Sequence, residues 1–171
     1  MGAGKMLPSI HRDGGWIGQF DRMMRWYSRF EKTQPWDFNA PNIDYQHDIL
    51  FVCFQSIFHL KDWLINDAKI DSKVVYGFIN ENIELQICRD ICNGTKHFDI
   101  TQASVDNDFT IIREYQPLHK MTNSNEWRMI VVADFNKYDL KELARKSINL
   151  WVSFVTENLS LNEQHTHLNN R

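Results

Sequence analysis

No run of 18 apolar residues occurs anywhere in the chain, so nothing in it reads as a membrane-crossing helix. Cysteine is scarce. Cys53, Cys88 and Cys92 are the three present, an odd number without framework spacing, and all lie within apolar runs of helical period. That usage fits reduced thiols inside a cell. There is no excess of positive charge: 19 Lys and Arg against 22 Asp and Glu leave a formal charge of −3, hence no global basic field to draw in nucleic acid. No apolar run follows the first basic residues, which excludes a secretory signal reading. Gly2-Ala3-Gly4-Lys5 has neither the glycine spacing nor the following Ser or Thr of a phosphate loop. Internal repeats and low-complexity tracts are absent as well. The expectation is a soluble, cytoplasmic, bacterial-type protein with no membrane partner.

What is present argues for a packed globule. Hydrophobic residues make up 43% and aromatics 13%, a balance opposite to that of disordered chains. At 171 residues the chain suits one domain with a proper core. Residues 1–13 read as a flexible N-terminus, 14–160 as a single helical domain, and 161–171 as a flexible polar tail.

Along the chain, Gly15 to Lys32 is helix-like, with Trp16, Phe20, Met23 or Met24, Tyr27 and Phe30 at three- and four-residue steps. Arg22, Arg25 and Arg29 form a basic row on it. The plain reading of that row is the wet face of an amphipathic helix. The sharper one is a strip for phosphate backbones, because the arginines interleave with Trp26 and Tyr27. Thr33 to Pro41 holds two prolines and reads as a connector. Ile43 to Ala68 is the longest helical candidate, nearly all apolar from Ile49 to Phe58 as a central helix would be. A second helix is predicted from about Lys73 to Thr95. After His97 the pattern turns to strands, Val105–Tyr115 and Trp127–Ala133, which predicts an antiparallel hairpin over about 104–133 with a loop near 117–126. Asp139 then opens an amphipathic helix through about Asn158, with Leu140, Leu143, Ala144, Ile148, Trp151, Phe154 and Val155 on one broad side.

Chemically capable side chains gather in two places: HLKDW, with His59, Lys61, Asp62 and Trp63, and CRDICNGTKH, with Arg89, Asp90, Asn93, Lys96 and His97. On a helical wheel with Ile83 at zero, Ile87 and Ile91 fall at about 40° and 80°, whereas Arg89, Asn93 and Lys96 fall between about 220° and 280°. Opposite an isoleucine stripe such groups normally face water. Here Leu85, Cys88 and Cys92 form a second apolar strip beside Arg89, so the helix reads as packed on two sides. His59 and Asp62, three residues apart, share a face, and a carboxylate there would fix the imidazole tautomer. Together these groups permit metal-free phosphodiester chemistry. Arg89, Asn93 and His97 are the candidate catalytic residues, with His97 as general acid or base. Lys96, His59, Asp62 and Asp90 are the candidate substrate-binding residues. No cofactor and no metal site is called for. His59, Asp62 and His97 do not have the spacing of a metal-ligand set, and His165 and His167 lie in the polar tail.

On these residues, His59-Leu60-Lys61-Asp62-Trp63 and Cys88 through His97, the chain resembles the HEPN superfamily, and in particular bacterial proteins carrying HLKDW-type and RDxxNGxKH helices. The resemblance spans about Asp44 to Asn158. It implies a mainly α fold, a HEPN-like four-helix bundle with the β-hairpin inserted before the last helix. It also implies a homodimer, with RNA or a nucleotide as partner, in a defence or toxin setting; a separate reading is a structural protein of a mobile element with no ligand. Many members are metal-independent endoribonucleases whose signature is an Arg, a polar residue, and a His four to six positions beyond. Here seven residues separate Arg89 from His97. That longer interval favours the alternative, a non-catalytic dimeric binding or structural module.

Overall fold

The computed structural model describes residues 14–33, 43–96, 105, 110–115 and 127–168. In chain order these form α1 (Gly15–Glu31), α2 (Ile43–Asn66), α3 (Ser72–Glu81), α4 (Ile83–Lys96), β1 (Thr110–Tyr115), β2 (Trp127–Ala133), β3 (Asn136–Asp139) and α5 (Leu140–Leu168). The fold is mainly helical, with a small antiparallel sheet set just before the last helix, as the hydrophobic periodicities predict.

α2 is the central helix and packs against all four others. Leu50, Cys53, Phe54, Ile57, Leu60 and Leu64, at three- and four-residue steps, are wholly buried. Each such Leu, Ile or Phe contributes roughly 1.5–3 kcal/mol by leaving water. α1 runs antiparallel to α2: the Trp16 N–H, at the start of α1, donates to Asp67 Oδ2 just past the end of α2, at 2.8 Å. Gly15 makes that contact possible. Its φ is +51°, and a Cβ there would collide with the Asp67 carboxylate. At the other end of α1, Lys141 Nζ donates to the carbonyls of Glu31 and Thr33 at 3.0 and 2.9 Å, so α5 supplies the cation that closes this helix.

The segment predicted as one helix from about Lys73 to Thr95 is two. Asn82 adopts an extended backbone, φ −120° and ψ 110°. Its Nδ2 donates to the Phe78 carbonyl at 2.7 Å, satisfying the end of α3, while its own carbonyl accepts the N–H groups of Leu85 and Gln86 to begin α4. The isoleucine stripe survives because Ile83, Ile87 and Ile91 all fall after this break.

The predicted hairpin is also larger by one strand. β1 pairs antiparallel with β2, Thr110 opposite Val132 and Tyr115 opposite Trp127, and β2 pairs with β3, Ala133 opposite Asn136. The β2–β3 connection is Asp134-Phe135, with φ of +49° and +57°, the signs of a type I′ turn. Met129 and Val131 of β2 join the helical core. β3 runs straight into α5, and Asp139 Oδ1 accepts the N–H groups of Lys141 and Glu142 at 2.9 and 3.0 Å as the N-cap. The inward face of α5 is the predicted one. Leu140, Leu143, Ala144, Ile148, Trp151 and Phe154 are buried, and Trp151 and Phe154 meet edge-on at 5.6 Å beside Phe78. The α5 backbone stays helical to Leu168, ten residues past its expected end. The expected flexible N-terminus and the loop at 117–126 lie outside the described residues.

Candidate functional site

α4 is buried around most of its circumference. Leu85, Ile87, Cys88, Ile91 and Cys92 are inside, leaving a strip with Gln86, Arg89 and Asn93 half-exposed. α2 and α4 cross antiparallel: Gln55 Nε2 donates to Thr95 Oγ1 at 3.1 Å, and one turn along α2, His59 Nε2 lies 3.4 Å from Cys92 Sγ. Thr95 Oγ1 in turn donates to the Cys92 carbonyl at 2.8 Å. The two candidate segments therefore do meet, through an exposed imidazole on α2 and a buried thiol on α4. Either the thiol donates to a neutral Nε2 or a protonated Nε2 donates to the sulfur.

The predicted site residues divide into those at this edge and those turned away from it. Arg89 Nη1 donates to Asn80 Oδ1 at 3.0 Å, and Gln86 Nε2 donates to the Asn80 carbonyl at 2.8 Å, so Arg89 braces the α3–α4 junction from the wet strip. Asn93 is half-buried on the same strip. Asp90, expected to face a substrate, is completely buried, and its Oδ2 accepts the Val105 N–H at 3.2 Å. It tethers the chain beyond α4 to the bundle. Asp62, expected to orient His59, instead accepts from Lys61 Nζ at 2.6 Å. The two are adjacent in sequence, and Lys61 is drawn inward, its ammonium 4.8 Å from the Phe58 ring centre and 5.6 Å from that of Tyr76. The neighbour of His59 is thus Cys92, which spacing along one helix cannot reveal. Lys96 closes α4, and His97 lies outside the described residues.

Deeper along α4, where it packs on α5, the chemistry is silent. Cys88 is wholly buried with Sγ 3.3 Å from Ser147 Oγ, and Ser147 passes its hydroxyl proton to the Leu143 carbonyl at 2.8 Å, which leaves the thiol as donor. Burial pushes the Cys88 thiol up to about 12, against the opposing pull of Ser147, and burial likewise raises the Cys53 thiol. Among the described residues, no three His, Cys, Asp or Glu side chains are placed to share a metal ion. No helix among them is long and apolar enough to cross a membrane. Comparison with protein-family models, curated proteins and solved structures returns no match.

Proposed function

We propose that this is a HEPN-like RNA-processing protein whose α2–α4 edge acts on the phosphodiester without a metal. The observation that carries the reading is the contact across the helix pair. It fixes an exposed His59 imidazole against Cys92, beside the strip of α4 that holds Arg89 and Asn93. Histidine is the side chain that exchanges protons near neutral pH, and the chemistry needs two such transfers. One imidazole takes the proton of a 2′-hydroxyl as its oxygen attacks phosphorus. The other gives a proton to the departing 5′-oxygen, leaving a 2′,3′-cyclic phosphate and a 5′-hydroxyl. His59 fills one of these roles and His97, the residue directly after α4, the other. Arg89 and Lys96 hold the phosphate oxygens, and Asn93 orients them. The HEPN-like reading sets this edge at the cleft of a homodimer in a bacterial defence or toxin context.

The test is incubation of single-stranded RNA with the protein in chelator, scoring cyclic-phosphate ends. His59→Ala, His97→Ala and Arg89→Ala should each lose about a hundredfold or more in rate, the two histidine variants while melting like the wild type and Arg89→Ala at a temperature where it is still folded. A folded, dimeric wild type that leaves RNA intact would overturn the cleavage reading. A second reading has its own support. Asp90 is spent on Val105 and Arg89 on Asn80, so part of the motif holds the bundle together. Under that reading the protein is a non-catalytic dimeric module that binds RNA or a nucleotide, or serves a structural role. Binding that survives without cleavage would select it.

A further inference from the structure

The basic row of α1 is separate from the α2–α4 edge. Arg22, Arg25 and Arg29 fall within about 60° of one another on the helix and span about 10 Å along it, with Trp26 at their border. The buried side of α1, Met23 and Phe30, faces elsewhere. Arg25 and Arg29 are exposed, and among the described residues neither forms an ion pair. Arg29 is ordered nonetheless: its guanidinium lies 4.4 Å from the centre of the half-buried Trp26 ring. A planar cation held on an indole offers a flat, charged platform, whereas arginines that merely solvate a helix swing free.

We infer that this strip of α1 is a docking track for single-stranded nucleic acid, with Arg25 and Arg29 on successive phosphates and a base stacked over the Arg29–Trp26 pair. Charge complementarity names a polyanion, and the stacked platform names one with unpaired bases, since bases within a duplex are already stacked. In a chain of net charge −3 the attraction is local, so it confers register on a strand rather than general affinity for polyanions. The inference deepens the RNA reading and rests on it only for the choice of RNA over DNA.

The experiment is fluorescence anisotropy of labelled single-stranded RNA and DNA oligonucleotides, titrated with wild type, R25Q/R29Q, R25K/R29K and H59A over a range of salt. R25Q/R29Q should bind about tenfold or more weakly, and its log–log salt slope should be shallower by about 1.4, two phosphate contacts on a single strand. R25K/R29K should keep the slope yet lose affinity, because lysine supplies the charge without the plane. R25Q/R29Q binding like the wild type, with an unchanged melting temperature, would overturn the track. So would tight binding to phosphatidylcholine–phosphatidylserine vesicles with none to oligonucleotides, or equal affinity for duplex. The two proposals fail separately. H59A that cleaves normally while R25Q/R29Q has lost binding sinks the α2–α4 site and leaves the track, and the reverse pattern does the opposite.

Discussion

Two cysteines one turn apart on α4 mark surroundings of different chemistry, one where α4 packs on α2 and α5, the other where it meets α2. At Cys88 the interface is dry. The thiol is fully enclosed, donates to Ser147 and sits near Cys53 of α2, and burial holds both thiols in the protonated form. At Cys92 the interface opens, and the sulfur meets an exposed imidazole at 3.4 Å. The residue type and helical face are nearly the same in both places. What differs is depth. Ser147, the partner at the inner position, donates its hydroxyl hydrogen to the Leu143 carbonyl and accepts from the thiol, but an alcohol oxygen is too weak a base to take the thiol's proton, whereas an imidazole can. Of these two thiols, the one with an imidazole at hand is therefore Cys92, near the end of α4.

The largest expected effect tests that contrast directly. Limited alkylation of the native protein with iodoacetamide at pH 8, read by peptide mass spectrometry, should label Cys92 while Cys88 stays unmodified. A thiol held at about 12 instead of 9.0 presents roughly a thousandfold less thiolate. Equal labelling of Cys88 and Cys92 would erase the distinction. A second, smaller effect appears in alkaline stability. The folded-state value for Cys88 is raised, so the stability linked to it is fully present below pH 9 and is lost as pH climbs from about 9 towards about 12, while the unfolded chain ionises and the folded one does not. Each buried thiol adds about 1.4 kcal/mol per pH unit to that decline. Urea unfolding between pH 8 and 10.5 should show a steeper fall for the wild type than for Cys88→Ala. Parallel lines would mean that the thiol is not enclosed in solution.

Most of the helical frame was legible in the sequence because three- and four-residue apolar steps report which side of a helix is dry. α1, the core run of α2, and the inward face of α5 follow from Phe30, Phe54, Leu64, Ile148 and Trp151 alone. The break at Asn82 was not legible, since neither Gly nor Pro marks it and the apolar spacing resumes at Ile83. Asn82 ends one helix and starts the next with the hydrogen bonds of its own amide and carbonyl. β3 was missed for a related reason. Its turn puts Phe135, 95% exposed, at a positive φ where Gly or Asn usually signals a hairpin. At the site, proximity in sequence misled: Asp62 is taken by its neighbour Lys61, and Asp90 by Val105. The His59–Cys92 contact spans 33 residues and two helices, and it depends on how α2 and α4 cross rather than on any local pattern.

The smallest effect separates packing from chemistry at the two thiols. Cys88→Ala removes a sulfur from a site that nothing refills and strips Ser147 of a donor, which should destabilise by about 1 kcal/mol. Cys92→Ala leaves its space at the rim, where His59 and water can move in, and should stay within about 0.5 kcal/mol of the wild type. The same pair should reverse its order when alkylation is measured, because Cys92→Ala removes the fast-reacting thiol and Cys88→Ala leaves it. A protein in which one substitution dominated both measurements would have a single thiol environment, and the division of α4 into a structural half and a chemical half would fail. A crossed result would place the reactive thiol of this helix near its end, at Cys92 beside His59, and the purely structural one at Cys88.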